Sequence, residues 1–370
     1  MTKPTVNTKP VTGAAFIRTL TLALLSIALL FAVDTFLAKS EHAETAVQAA
    51  TLFERAQALM RRGNNLEAIK QLKDAVSMER ANRDYRRTLA EAQLAAGKPN
   101  DAETTLSNLL ETDSTDGPAN RIMGRTLLAN GRFNEATSYF HRAIFGRWDA
   151  DPPKNRLSVR FELIDLLAAN NSKEELLAEL LPLEDSAPAD PATRLRIGRL
   201  FLLAGSPVRA AAVFHGILRD TPDLADAFAG LGEAEFAQGN YRAAESNFQS
   251  AVRLAPGEKG SEEGLQRSNE LLRLDPMTRG IGTEERLRRS RELVRLTLAE
   301  TSRCIGTNLP SGWRELELEA ETLLNASRNL DSVETNLELS ERIWQLRKTQ
   351  CKPPPESISP LTLVLAKISK

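Results

Sequence analysis

An all-α chain organised around a helical solenoid is predicted by two observations. Five glycines, Gly63, Gly97, Gly131, Gly205 and Gly239, are spaced 34, 34, 74 and 34 residues apart. Each is followed five residues later by an alanine, namely Ala68, Ala102, Ala136, Ala210 and Ala244. A fixed period of this length is the signature of stacked helix pairs. The glycine turns the chain between two helices, and the small residue beyond it lets them cross closely. The interval of 74 is two periods with six residues added, in the region of Asp149-Ala150-Asp151-Pro152-Pro153-Lys154, so the array is padded and not interrupted.

Residues 1–12 are polar, carry Lys3 and Lys9, and read as a cytoplasmic N-terminus. From Gly13 to Val33 the chain is apolar over 21 positions, apart from Arg18 and a few Thr and Ser. That is long enough to cross a bilayer, and Arg18 lies near the start, where its stem can carry the charge back to the headgroups. The expected element is a single-pass transmembrane signal-anchor helix over 13–37. Lys3, Lys9 and Arg18 precede the apolar core, while Asp34, Lys39, Glu41 and Glu44 follow it. The positive-inside bias therefore places the bulk of the chain on the periplasmic or extracytoplasmic side of an inner membrane. A cleaved signal peptide is the alternative. The run Thr19–Val33 has 15 residues, and the cleavage triplet would be Ala38-Lys39-Ser40, with a lysine at its centre.

Six hairpins are expected over 43–258. The clearest unit starts at Ala225 and carries Phe228, Leu231, Gly232, Phe236, Gly239, Tyr241, Ala244, Phe248, Ala251, Val252, Leu254 and Pro256. The same pattern returns in Gly124, Gly131, Phe133, Ala136, Phe140, Ala143 and Ile144, and in Gly198, Gly205, Ala210, Phe214, Leu218 and Pro222. Ala56, Leu59, Gly63, Ala68, Leu72, Ala75 and Val76 form another unit, and Leu89, Ala90, Gly97, Ala102, Leu106 and Leu110 a further one. These residues resemble the tetratricopeptide repeat, over a little more than half the chain. The resemblance implies a right-handed superhelix of about six helix-turn-helix units. In the fourth unit Asn171 stands at the turn and Leu176 replaces the alanine, beside Leu163, Leu167 and Leu180, which predicts looser packing or a wider angle there.

A capping helix is expected over 259–276, with Ser261–Leu274 amphipathic and Asp275-Pro276 as its stop, because the last repeat needs a cover with a polar outer face. A C-terminal helical bundle follows over 283–352. Thr283 is the expected N-cap of its first helix, with Glu284 and Glu285 in the first turn. The stretch Trp313–Gln350 is too long for one helix beside its predecessor, and Asp331 with Glu334 reads as a capping box, so a break is predicted near 328–330. Three alternating helices bring Cys304 and Cys351 to the same end. As these are the only two cysteines and both lie outside the cytoplasm by the charge argument, a disulfide between them is expected. The tail, 353–370, opens with Pro353-Pro354-Pro355 and ends in the apolar run Leu361–Ala366. It is too short to span a membrane; it is expected to lie disordered or loosely on the surface, the sharper alternative being that it docks in a groove of this or a neighbouring molecule.

Composition excludes several classes of function. With 48 basic and 49 acidic residues and no basic run interleaved with aromatics, nucleic acid is not an expected ligand. Hydrolytic, metal-binding and phosphate-binding motifs are absent from the sequence, so the reading is a non-enzymatic protein with no cofactor, no metal and no small-molecule substrate. His141 and His215 hold equivalent places in two repeats, directly after Phe140 and Phe214, too far apart to share a metal.

The family resemblance implies that the first helix of each hairpin lines a concave groove for a protein or extended peptide. Its contact positions would be Phe53, Gln57 and Met60; Arg87, Glu91 and Leu94; Arg121, Arg125 and Leu128; Phe161 and Asp165; Leu195, Arg199 and Leu202; and Asp226, Glu233 and Phe236. Arg87, Arg121, Arg125, Phe161, Arg199 and Phe236 are the leading candidates, with Arg121, Arg125 and Arg199 as a basic centre for carboxylates or carbonyls of the partner. The Lys and Asn pattern by which chaperone-binding relatives clamp a terminal carboxylate is not reproduced. The function expected is a membrane-anchored scaffold of the bacterial envelope. The alternatives are a secreted peptide-binding protein and an accessory subunit of an envelope enzyme or secretion complex.

Overall fold

The computed structural model describes residues 13–186, 188–307, 309–325, 332–351 and 359–368. The N-terminus expected to be cytoplasmic, the expected Asp331 cap and the Pro353-Pro354-Pro355 opening of the tail lie outside the described residues. The described chain is all-helical, with one isolated bridge between Asp116 and Arg147. It forms two compact units, Met1–Asp165 and Leu166–Lys370.

The first unit contains α1 (Gly13–Arg61), α2 (Asn65–Met78), α3 (Arg83–Ala95), α4 (Pro99–Thr112), α5 (Gly117–Ala129) and α6 (Phe133–Phe145), with α7 (Pro152–Ala169) crossing into the second. α1 corrects one boundary. The helix that opens with the apolar segment does not end near 37 but continues without a break into the first helix of the first repeat. The cause is local, because no Pro or Gly occurs between Gly13 and Gly63 and the stretch is rich in Ala, Leu and Glu. The two ends of α1 have opposite environments. Phe31 and Phe36 are 70% and 72% exposed, whereas Ala49 and Ala56 are fully buried against α2 and α3.

Every hairpin turn uses the same device. Gly63 has φ +76°, its N–H donates to the Met60 carbonyl at 2.9 Å, and the Asn64 N–H donates to the Leu59 carbonyl at 2.9 Å. This pair of bonds satisfies the last carbonyls of the helix only if the residue between them is left-handed, which glycine adopts without a Cβ penalty. At the degenerate turn Asn171 takes φ +55° and makes the same bonds, to Ala168 at 3.1 Å and, through Ser172, to Leu167 at 3.0 Å.

Close crossing is arranged by glycine under phenylalanine. A Cβ on Gly124 would lie 3.2 Å from the Phe140 ring, and one on Gly232 2.9 Å from the Phe248 ring. The alanines of the second helices, Ala68, Ala102, Ala136, Ala210 and Ala244, are all fully buried. The added residues after α6 are pinned at their start: Arg147 donates its N–H to the Thr115 carbonyl at 2.7 Å, and Trp148 Nε1 donates to the Ala143 carbonyl at 2.8 Å.

The second unit continues with α8 (Lys173–Leu180), α9 (Leu183–Ser186), α10 (Pro191–Leu203), α11 (Pro207–Asp220), α12 (Ala225–Ala237) and α13 (Tyr241–Leu254). α8 has 8 residues where α11 and α13 have 14, because Pro182 stops it. Leu176, in place of the small alanine, is buried.

α14 (Lys259–Leu274) follows as the cover. Its N-cap is Glu258, whose carboxylate accepts from the Gly260 and Ser261 N–H groups, so the helix begins two residues earlier than its amphipathic pattern. α14 is apolar inward, with Leu271 and Leu274 buried.

The bundle consists of α15 (Thr283–Ile305), α16 (Trp313–Asn325) and α17 (Val333–Gln350). Gly282, not Thr283, occupies the N-cap, and Thr283 is already helical; Glu285 takes up Arg288 and Arg289 in the first turn. The break expected near 328–330 lies outside the described residues; α17 begins at Val333 and is capped by Ser332, which accepts from the Thr335 N–H at 3.0 Å. Val294, Trp313, Leu316, Ala320, Leu339 and Ile343 form the core of the bundle. The seam between α15 and α17 is polar and buried, with the Asn336 amide donating to Ser290 Oγ at 2.8 Å. Cys304 and Cys351 form a disulfide with their Cα atoms 6.1 Å apart.

The tail departs from the loose course expected of it and follows the alternative, docking on this same molecule. Its end is neither loose nor irregular but forms α18 (Pro360–Ile368), capped by Ser359, with Leu361, Val364 and Leu365 buried against Tyr241, Leu271, Leu274, Leu293 and Trp344. The helix follows from apolar residues at i, i+3 and i+4, a spacing the short run masks when read as a continuous apolar string.

Candidate functional site

The first helix of each hairpin brings one residue into the same register six positions before its turn. Within the first unit these are Gln57, Glu91, Arg125 and Asp165, and within the second Arg199 and Glu233. Charges of opposite sign therefore neighbour each other along this face. The Glu91 carboxyl is pushed above the usual range because loss of solvent outweighs the pull of Arg125, Arg121 and Arg87. Glu233 is raised in the same way, against the pull of Arg199 and Arg267.

Each arginine singled out from the sequence holds a carboxylate of the next hairpin. Arg87 Nε donates to Asp116 Oδ2 at 3.0 Å, and its Nη1 to Asp84 at 2.8 Å. Asp116 is fully buried and also caps α5 by accepting from the Ala119 N–H at 2.9 Å. Arg87 is thus the countercharge of a buried helix cap. Arg121 and Arg125 both donate to Glu162 on α7, Arg125 at 3.0 and 2.6 Å. Loss of solvent alone would raise the Glu162 carboxyl, but the two guanidiniums outweigh it and hold it below the usual range. Arg199 donates to Asp226 at 2.8 Å. Arg121, Arg125 and Arg199 therefore do not stand as bare cations, and Arg199 belongs to the other unit.

The aromatic candidates are engaged as well. Phe236 meets Tyr241 edge-on at 5.2 Å, carries the Arg267 guanidinium over its face at 5.3 Å, and packs on the cluster that holds α18. Phe53 stacks on Tyr85 at 4.7 Å, and Met60 packs in the same core region. Phe161 and Leu128 are half-buried on their helices.

Sequence reasoning missed Asp116 and Glu162. The signal for the first was available: Asp116-Gly117-Pro118 is a helix start, and Arg87 precedes Asp116 by 29 residues, just under one period. The signal for Glu162 was hidden by the six added residues, which lengthen its separation from Arg121 to 41. Chemically, the first helices of each unit carry paired charges, Arg121 and Arg125 with Glu162 in one and Arg199 with Asp226 in the other. Among the described residues no group of three His, Cys, Asp or Glu is placed to hold a metal ion.

Tetratricopeptide-repeat family models match residues 59–126 and 195–259. Similar solved structures include YrrB, described as a TPR protein with an unusual peptide-binding site, at 17% identity and TM-score 0.42 over 53% of this chain and 97% of that one. PilF of Pseudomonas aeruginosa is similar at 17% identity and TM-score 0.40, over 60% and 97%. The C-terminal part of a TPR repeat-containing protein of Cytophaga hutchinsonii is similar at 12% identity and TM-score 0.44, over 82% and 96%. No curated protein matches the chain in sequence. The chain carries tetratricopeptide repeats.

Proposed function

We propose that this tetratricopeptide-repeat chain is a non-enzymatic scaffold, held by α1 in the inner membrane of a bacterial envelope, that binds a partner protein or extended peptide on the periplasmic side. Repeats of this kind serve as interaction modules, and the fold by itself does not select the partner. The single observation that carries the anchoring is α1. Its apolar residues from Leu20 to Phe36 face away from the rest of the chain, an arrangement that water disfavours and a bilayer favours. Lys3, Lys9 and Arg18 before that segment support an extracytoplasmic location for the repeats, and so does the disulfide, a bond that persists in oxidising compartments.

Continuity of α1 through Ala38-Lys39-Ser40 favours retention of the segment over release after Ser40. The binding faces are the first helices of the hairpins, where Arg125, Glu91 and Glu162 in one unit and Arg199, Glu233 and Asp226 in the other supply the polar contacts. Cross-linking in intact membranes followed by mass spectrometry tests the scaffold role. A partner that cross-links to α3, α5, α10 or α12 supports it. Recovery of the chain in the soluble fraction, beginning at Glu41, would eliminate the anchor.

A further inference from the structure

A groove in the second unit lies apart from the repeat faces and has a volume of about 560 Å³. Its floor is apolar, formed by Leu274 of α14, Leu296 and Ala299 of α15 and Leu361 of α18. Pockets that bind ligands combine such a floor with a few placed polar groups. The polar groups here fall into two sets. Arg288 is tied to Glu285 at 2.8 Å, Glu292 to Arg295 at 2.8 Å and Glu300 to Arg347 at 3.0 Å, and Glu270 accepts from Gln266 Nε2 at 2.8 Å. Arg273 and Arg303 line the same groove and have no ion pair among the described residues.

These two arginines stand at opposite ends. Arg289 donates to the Asp275 carbonyl at 3.2 Å, which sets the end of α14, and with it Arg273, beside Arg288 and Arg289 at the start of α15. Arg303 is in the last turn of α15, next to the disulfide. Along a helix, Arg288 and Arg303 are about 22 Å apart at 1.5 Å per residue. An extended chain covers that length in about six or seven residues. About one helical turn in from each end, Glu292 and Glu300 keep lone pairs beyond those used by their arginines, and these can accept backbone N–H groups, which an acyl chain would not offer.

We infer that this groove is a second docking site, which takes an extended segment of a partner protein about six residues long, apolar at its centre and acidic at both ends. The apolar centre covers Leu274, Leu296, Ala299 and Leu361, and the two acidic ends pair with Arg273 and Arg303. Neither the repeat faces nor the membrane segment takes part.

The test uses the full chain in lipid nanodiscs and fluorescence anisotropy with two labelled, end-blocked hexapeptides. Both have a Leu-Ala-Leu-Val centre; one is flanked by glutamates and the other by lysines. The wild-type chain is expected to bind the glutamate probe at least about tenfold tighter than the lysine probe. Arg273→Glu with Arg303→Glu is expected to invert that preference, and Arg125→Glu on the repeat face to leave it unchanged. In a second arm, a photoreactive residue in place of Ala299 is expected to cross-link to the glutamate probe, a readout that does not require the double variant to fold. Absence of binding by the wild type, unchanged preference in the double variant, a loss caused by Arg125→Glu instead, or equal competition by dodecanoate would each overturn the assignment.

Discussion

At the scale of single residues, the side chains that decide stability are those whose neighbours have no room or no substitute. A Cβ on Gly264 would stand 2.5 Å from the Phe248 ring, which is also covered by Gly232. Gly264→Ala is therefore expected to cost about 1–3 kcal/mol through overpacking, read as a lowered midpoint in chemical denaturation. Gly63→Ala meets nothing within 4 Å, yet its φ of +76° makes it lose about 1 kcal/mol for a backbone reason alone. The pair separates packing from conformation by experiment. Arg87→Ala has a different basis: it leaves the buried Asp116 with only Arg83 nearby, at 3.8 Å, and a loss on the order of 3 kcal/mol is expected. Glu162 gives a pH test. Its folded pKa lies below the unfolded value, so its stabilisation is complete above the unfolded carboxylate pKa and disappears as pH falls through the lowered folded one. Glu162→Gln should thus destabilise the chain at neutral pH, and the difference from wild type should vanish in acid.

Among the elements, α18 and the disulfide carry the clearest consequences. A nine-residue helix has little stability in isolation, so α18 exists because its apolar side docks. Lys367 adds a 2.7 Å bond to Asp275, whose side chain is only 2% exposed. Leu365→Ala is expected to cost about 2–4 kcal/mol, measured by thermal unfolding. A chain ending before Ser359 should show increased binding of a hydrophobic dye over wild type, because Leu271, Leu274 and Leu293 lose their cover. Cys304 and Cys351 close a loop with a sequence separation of 47, for which the chain-entropy estimate is about 4 kcal/mol. Reduction should lower the stability of the bundle by up to that amount, and limited proteolysis near α17 should report it.

For the whole molecule, the continuity of α1 would tie the proposed anchor mechanically to the first hairpin. Protease added to intact spheroplasts should cleave the repeats, and resistance to it would place them in the cytoplasm. Much of this was legible beforehand, because a left-handed turn, a helix stop and a small residue at a crossing depend on a few neighbouring residues. Gly63 and its equivalents and the apolar stretch of α1 are local in that sense, and even the cysteine pairing needed only helix counts and directions. The partners of Arg87, Arg121 and Arg125 were not legible, because Asp116 and Glu162 come within reach only when one hairpin stacks on the next. The docking of α18 and the groove beside it depend on the faces of helices far apart in the sequence. By itself the sequence determined the helices, their period and where each must turn, since backbone preference acts over a few residues. Tertiary structure alone decided which charges neutralise one another and which apolar surface is covered, since those energies depend on faces brought together across long separations.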